Sequence, residues 1–269
     1  MMVTFKDYVA AKKQEIKAFV ATLALKPKLV IINVGDDPAS QIYVKGKLAD
    51  CAECGIQAEL LHYDSEINEC VLYDKIKELN MSPDVTGYII QLPLPKQFDA
   101  DKLINMIDPI KDVDGFSKLH ITDPATPKGI LDYLVDKGYE FKDKNAVVIG
   151  RSAIVGVPVA RLLLAKDCNV VQLHSKTSEV NKRLFLENAD LIVTAVGKNN
   201  IIDSTYKLKP TAWIIDVGMN RDENNKLIGD CARDLSVELQ TTTPGSTGLS
   251  TRLALITNLI DLYKLQQNK

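Results

Sequence analysis

The sequence predicts an α/β protein built on parallel sheets and divided into two units. Three observations carry that reading. Short runs rich in β-branched residues recur at 28–34, 87–92, 146–150, 169–173, 191–196 and 213–217, as expected of strands buried on both faces. Stretches of helical length with apolar residues at helical spacing lie between them, and strand–helix alternation defines the class. At 108–127 the pattern breaks, with Pro109, Pro124, Pro127 and the pair Asp114-Gly115.

Taken in order, the first helix is predicted over 7–23, where Val9, Ile16, Phe19 and Val20 fall at helical spacing. The strand 28–34, helices at 42–54 and 68–79 and the strand 87–92 follow, completing a first unit predicted over 1–118. A second unit, 119–250, holds the strand 146–150, a helix at 157–165 and the remaining three strands. A last helix starts at Thr251 and could return to either unit.

A length of 269 residues suits two domains at roughly 100–200 residues each. Lys and Arg number 33 against 35 Asp and Glu, a net charge of −2. That balance gives no basic face for a nucleic acid or an anionic membrane, so neither partner is expected. No apolar run approaches the roughly 18 residues of a membrane span, and the N-terminal residues lack a signal-peptide apolar region. Five scattered cysteines do not make a disulfide framework; a reducing cytoplasm is the expected location.

The segment Gly150-Arg151-Ser152-Ala153-Ile154-Val155-Gly156-Val157-Pro158 joins a strand to a helix start. Gly150 suits a tight turn, and Gly156 would let something approach the helix N-terminus, whose N–H groups suit a pyrophosphate. The spacing is not the usual Gly-x-Gly-x-x-Gly, and an ordinary βα turn fits equally well. The next strand ends in Leu173-His174-Ser175-Lys176, where a doubly wound fold meets the adenosine ribose. An acidic residue there would suit NAD. Donors and cations, with Arg151 nearby, suit the extra phosphate of NADP, or simply a solvated strand end.

Tyr43 and Lys47 stand four apart and share a helix face, with Lys45 on another. Such a pair can do proton work, with the lysine as base and the tyrosine orienting it, though most are surface decoration. Gln91, before Leu92-Pro93-Leu94-Pro95, sits at the carboxyl end of a strand, where α/β sites gather; its amide could instead satisfy loop backbone. Asp112 and Asp114 could cap their own turn, or Asp114 could accept hydrogen bonds from an amino-heterocycle. Cys51-Ala52-Glu53-Cys54 lacks a second pair, and His62, His120 and His174 lack ligand spacing, so no metal is assigned.

In combination these segments resemble the bifunctional methylenetetrahydrofolate dehydrogenase/cyclohydrolase family, often called FolD. The resemblance runs from about Val34 to the C-terminus. It rests on Tyr43-x-x-x-Lys47, Gly87-Tyr88-Ile89-Ile90-Gln91-Leu92-Pro93-Leu94-Pro95 and Lys111-Asp112-Val113-Asp114-Gly115-Phe116. Pro127-x-Gly129, the 150–158 turn, His174-Ser175-Lys176-Thr177 and Ile215-Asp216-Val217-Gly218-x-Asn220 continue it. It implies two α/β domains with a cleft between them, the second a Rossmann-type domain binding NADP, with helix 251–269 packing back on the first. It implies a homodimer in one-carbon metabolism, feeding purine biosynthesis. Its substrates would be tetrahydrofolate derivatives: 5,10-methylenetetrahydrofolate oxidised to the methenyl form, then hydrolysed to 10-formyltetrahydrofolate. Lys47 would be the catalytic lysine, held by Gln91, with Tyr43 packing on the folate and Asp114 gripping the pterin. Pro244 and Gly245 would border the folate. Gly150, Arg151, Ser152, Gly156, His174, Ser175 and Thr251 would bind the cofactor.

The sequence departs from the family at its N-terminus, at Ala125 where a cysteine is common, and at Pro244-Gly245-Ser246-Thr247-Gly248-Leu249-Ser250-Thr251, where the family usually reads Pro-Gly-Gly-Val-Gly-Pro-Met-Thr. Ser246 would be strained if its φ had to be positive, and Thr251 could cap the last helix. The altered loop leaves open a member with one activity weakened. A non-catalytic folate- or nucleotide-binding paralogue is the third reading, which the intact Tyr43, Lys47, Gln91 and Asp114 disfavour.

Overall fold

The chain, seen in a computed structural model that describes residues 1–267, begins with β1 (Met2–Val3) and α1 (Lys6–Thr22). Next come β2 (Lys28–Val34), α2 (Pro38–Glu53), β3 (Gln57–Tyr63), α3 (Glu69–Met81), β4 (Gly87–Ile90) and α4 (Ala100–Ile104). After α5 (Ala125–Asp136) run β5 (Asn145–Ile149), α6 (Gly156–Leu164), β6 (Asn169–Leu173), α7 (Glu179–Glu187), β7 (Leu191–Thr194) and β8 (Trp213–Asp216). The hairpin strands β9 (Asn220–Arg221) and β10 (Leu227–Ile228), then β11 (Leu239–Thr241) and α8 (Thr247–Gln267), complete the fold. No helix among the described residues is long and apolar enough to cross a membrane.

Two units emerge: Ala10–Ala125 with residues from 252 onward, and Met1–Val9 with Thr126–Thr251. The expected boundary at 118/119 thus falls at 125/126, and residues 1–9 group with the second unit. There β1 pairs with β11 (Met2 opposite Gln240), and Phe5 stacks on Tyr133 with ring centroids 3.6 Å apart. The last helix starts one turn before its predicted Thr251; of its predicted range 251–269, residues 268 and 269 lie outside the described residues.

In the N-terminal unit three parallel strands run in the order β3-β2-β4. Alternation along β2 sends Leu29 and Ile31 to one face and Val30, Ile32 and Val34 to the other. The first set packs on Val44 and Cys51 of α2 and on Ala254, Leu255, Leu259 and Leu262 of α8. The second packs on Leu72, Ile76 and Leu79 of α3. α8 therefore helps form this unit's core.

In the second unit six parallel strands run β1-β11-β8-β7-β5-β6. From β5 the chain goes outward to β6, then crosses to β7 on the other side of β5. The order reverses there, and the carboxyl ends of β5 and β7 define the crevice where such sheets bind ligands.

Candidate active site

In the N-terminal unit, Asp37 starts α2 by accepting the Ser40 N–H at 2.8 Å, with Pro38 as the first helical residue. The hydroxyl of Ser40 donates to the Leu92 carbonyl at 3.3 Å, tying the helix to the end of β4. Along α2, Tyr43, Gly46, Lys47 and Asp50 recur at the spacing of one face. Lys47 is buried on that face, Tyr43 half-buried and Lys45 exposed. Lys47 Nζ donates to Gln91 Oε1 at 3.1 Å. Gln91 Nε2 donates to the Leu92 carbonyl at 2.6 Å, so the amide presents its oxygen to the lysine. One end of the Gln91 amide thus bonds loop backbone and the other bonds Lys47.

Asp114 arrives beside this pair because the segment before it runs parallel to β4. Tyr88 N–H donates to the Lys111 carbonyl at 2.9 Å, and Tyr88 bridges Asp112. A side chain at Gly87 would meet Val113 Cγ2 at 2.5 Å, so the glycine permits the approach. The Asp112 carboxylate caps the turn, accepting the N–H of Gly115 at 3.0 Å and of Ser117 at 2.8 Å. Gly115 sits at φ 68°. From α8, Asn258 Nδ2 donates to the carbonyls of Val113 and Asp123, both at 2.9 Å. The two aspartates divide the work: Asp112 caps, while Asp114 is 9% exposed and its carboxylate has no hydrogen-bond partner among the described residues. Burial raises the Asp114 pKa, Lys47 pulls it back and Asp112 pushes it up.

A raised carboxylate costs stability when ionised in the folded state, and that cost is absent below the ordinary pKa of 3.8. Asp114→Asn is therefore expected to raise the melting temperature at pH 7, by a margin that shrinks as pH falls toward 3.8. Thermal melts of the variant and the wild type across pH check this, and equal melting temperatures at pH 7 would contradict it.

In the second unit, Gly150 ends β5 at φ 122°, and a side chain on it would strike the Ala195 carbonyl. A side chain on Gly156 would strike the Gly150 carbonyl and lie 2.9 Å from Arg151 N. Two absent Cβ atoms thus let the 150–156 turn close on the start of α6. The helix N-terminus differs from the expected anion site. The N–H groups of Val155 and Gly156 donate to Ser152 Oγ at 3.3 and 3.2 Å. Val157 N–H donates to the Ser152 carbonyl at 3.1 Å, and Pro158 has no N–H. What the turn exposes is residues 151–154, including the Arg151 guanidinium.

Ile149 pairs with Leu173, so Arg151 and Ser175 follow the ends of neighbouring strands. Gly150 N–H donates to the Leu173 carbonyl at 2.9 Å, and Gln172 Nε2 to the Gly150 carbonyl at 2.9 Å. His174 shapes its own turn: its N–H donates to Thr177 Oγ1 at 3.0 Å and its Nδ1 accepts the Lys176 N–H at 3.2 Å. Ser175 and Lys176 stay exposed.

The altered loop carries no strain at Ser246. Positive φ, 117°, falls on Gly245, whose carbonyl accepts the Phe5 N–H at 2.9 Å. Ser246 is 1% exposed; its hydroxyl accepts the Thr242 N–H at 3.2 Å and donates to the Val3 carbonyl at 3.1 Å, joining β1 to β11. Thr251 does not cap α8. It lies one turn inside, donating to the Thr247 carbonyl at 2.8 Å beside Thr126 Oγ1 at 3.1 Å. Pro244 lines a cavity of about 380 Å³ with Asp216, Cys231 and Thr241.

Sequence reasoning missed Asn258, and gave Asp216 no role beyond the motif containing it. The Asp216 carboxylate accepts the N–H groups of Gly218, Asp230 and Cys231 at 2.8–2.9 Å. Asp230 in turn accepts those of Val196, Gly197 and Lys198 at 2.8–3.2 Å, bracing the loops after β7 and β8. Burial pushes the Cys51 and Cys54 thiols up to about 12 and about 11, so neither is a ready nucleophile or ligand.

A parallel sheet that reverses at β5, a glycine-lined turn there and a cationic neighbouring strand end define a dinucleotide-binding protein of the Rossmann class. The comparisons give the family. Residues 4–114 match the catalytic-domain model of tetrahydrofolate dehydrogenase/cyclohydrolase, and residues 124–267 match its NAD(P)-binding-domain model. The chain belongs to that family. It is 42% identical to the bifunctional protein FolD of Variovorax paradoxus over 96% of this chain and 93% of that one. The bifunctional FolD structure from Campylobacter jejuni superposes with a TM-score of 0.93 at 33% identity, covering 98% and 99% of the two chains. The Trypanosoma brucei FolD structure, complexed with NADP cofactor and inhibitor, gives 0.92 at 27% identity, covering 100% and 99%.

Proposed function

We propose that this chain oxidises 5,10-methylenetetrahydrofolate to 5,10-methenyltetrahydrofolate with NADP and hydrolyses that product to 10-formyltetrahydrofolate. The observation that carries the reading is the Lys47–Gln91 hydrogen bond, at 3.1 Å, beside the unpartnered Asp114. Binding alone would not need an oriented, buried lysine. The bifunctional FolD relatives support the two activities.

The Asp114 carboxylate accepts two hydrogen bonds from the pterin's amino and ring N–H groups, and its buried setting strengthens them. Tyr43 packs on the folate. In the hydrolytic step water adds to the methenyl carbon, and Lys47 Nζ takes the water's proton. The ammonium then returns a proton to the ring nitrogen as its C–N bond breaks, while the added hydroxyl releases its remaining proton to solvent and becomes the formyl carbonyl. Gln91 Oε1 accepts a Lys47 N–H and fixes where the nitrogen's remaining valence points.

Gly150 and Gly156 close the turn and Ser152 shapes it, so the cradle this turn offers a cofactor is its exposed residues 151–154; Arg151, His174 and Ser175 fit the ribose phosphate. Bound NADP would supply the hydride acceptor. This chain's contribution to that step is proximity and orientation, in which Pro244, Gly245 and Thr251 share. Arg151→Ala is expected to cut the preference for NADP over NAD about 10- to 100-fold, typical of a lost charge-assisted hydrogen bond. Steady-state kinetics with both cofactors check it, and equal use of both by the wild type would count against Arg151 as the selector.

The reading extends to a cytoplasmic homodimer whose product feeds purine biosynthesis, for which the family resemblance is the support. The primary test is hydrolysis of supplied methenyltetrahydrofolate together with NADP-dependent oxidation of the methylene form. Absence of either reaction in the wild type would overturn the bifunctional reading.

A further inference from the structure

Gly46 lies in the middle of α2, where glycine costs about 1 kcal/mol relative to alanine. The position of its missing Cβ is occupied by Nη1 of Arg252, with Cζ at 3.2 Å and Cδ at 3.3 Å. The guanidinium therefore rests on bare backbone, on the face that also carries Tyr43, Lys47 and Asp50. Its Nε stands 2.9 Å from Asp50 Oδ2. The other Asp50 oxygen accepts a hydrogen bond from Lys13 Nζ at 2.5 Å, and Lys13 also donates to Glu53 at 2.7 Å. Burial pulls the Lys13 pKa down, but its bonds to Asp50 and Glu53 prevail and hold it charged. Asp50 is 7% exposed on its side chain and cannot turn away to water. The ion pairs thus lock α1, α2 and α8 together around one point. Among the described residues the two Nη groups have no hydrogen-bond partner, so Asp50 and the surface of Gly46 fix the guanidinium.

We infer that Arg252 is a positioning residue for the hydrolytic step, seated on Gly46 and anchored by Asp50, where it fixes the α2 face that bears Tyr43 and Lys47 and sets the charge around the Tyr43 phenol. The inference rests on the reading of that face as the folate site. Burial raises the Tyr43 phenol pKa, and the Arg252 charge opposes the rise. Gly46 is the second half of the device, since any side chain there would displace the guanidinium.

The two halves can be broken separately. Gly46→Ala removes no charge and favours the helix, and the atom it displaces is the tip of a flexible side chain. Arg252→Ala removes the charge and leaves Gly46. Each is expected to lower cyclohydrolase kcat about tenfold with a smaller change in KM, and the double variant is expected to be no slower than either single. In ¹³C-tyrosine NMR the Tyr43 resonance, assigned with Tyr43→Phe, should titrate at higher pH in both variants. Wild-type turnover in Gly46→Ala, or single losses that multiply in the double, would overturn the inference. The NMR measurement needs no turnover. A wild type without cyclohydrolase activity would sink the functional reading, while a Tyr43 titration unmoved in both variants would sink this one.

Discussion

Lys47→Ala is expected to lower cyclohydrolase turnover by about 10²–10⁴-fold, the usual worth of a positioned acid–base group, while the protein still folds. The lysine is 8% exposed, and among the described residues its nitrogen has one hydrogen-bond acceptor, Gln91 Oε1 at 3.1 Å. No other lysine on α2 can replace it, because Lys45 points to solvent from another face. Folding should survive because truncation leaves Gln91 still bonded to the Leu92 carbonyl at 2.6 Å. Among the described residues no carboxylate accepts a hydrogen bond from Lys47, so the truncation orphans none. Hydrolysis of supplied methenyltetrahydrofolate, with a thermal melt on the same sample, checks both halves. Wild-type hydrolysis would remove Lys47 from the reaction.

Gly156→Ala is expected to have the second largest effect, on the other unit. The added Cβ would meet the Gly150 carbonyl, with Gly150 C at 2.6 Å and Arg151 N at 2.9 Å. These are backbone atoms, so no side chain can swing aside; the turn must open or α6 must shift. Overpacking of this kind costs about 1–3 kcal/mol, and the displaced segment is the one that presents Arg151. NADP affinity should fall by at least about 100-fold, more than one lost hydrogen bond would give. Cyclohydrolase activity should persist, because Lys47, Gln91 and Asp114 belong to the N-terminal unit. Fluorescence titration with NADP beside the hydrolysis assay separates the two effects, and unchanged NADP affinity would refute the cradle.

The buried strands were the most legible part of the sequence. Runs such as 28–34 and 191–196 are largely apolar on both faces and cover β2 and β7, which are buried along nearly their whole length. The strand β3 was invisible for the opposite reason: Gln57–Tyr63 is an edge strand whose residues are mostly exposed, so it carries no apolar signature. α5 was hidden by Pro127 and Gly129, yet Gly129 serves a contact, since a side chain there would meet the Ser250 carbonyl at 2.5 Å. Asp37-Pro38 is a helix start in plain view, and reading α2 from Ile42 overlooked it.

At the site, motif resemblance brought Lys47 and Gln91 together although 44 residues separate them. Spacing alone could not have done so, because the contact depends on strand register. Arg252 and Asn258 were missed for a related reason. They sit on a helix that reads only as amphipathic, and their partners, Asp50 and the Val113 and Asp123 carbonyls, come from distant parts of the chain. The strain anticipated at Ser246 assumed that the positive φ of the turn fell there, whereas Gly245 takes it and frees Ser246 to bridge two strands.

The central claim is that one chain performs two reactions and that Lys47 serves the water step. The most direct test starts Lys47→Ala on 5,10-methylenetetrahydrofolate and NADP and follows NADPH and the methenyl product by absorbance in one progress curve. The account predicts that methenyltetrahydrofolate accumulates in step with NADPH and decays only at its uncatalysed rate, whereas wild type passes it on to 10-formyltetrahydrofolate. Formation of 10-formyltetrahydrofolate by the variant at the wild-type rate would contradict it.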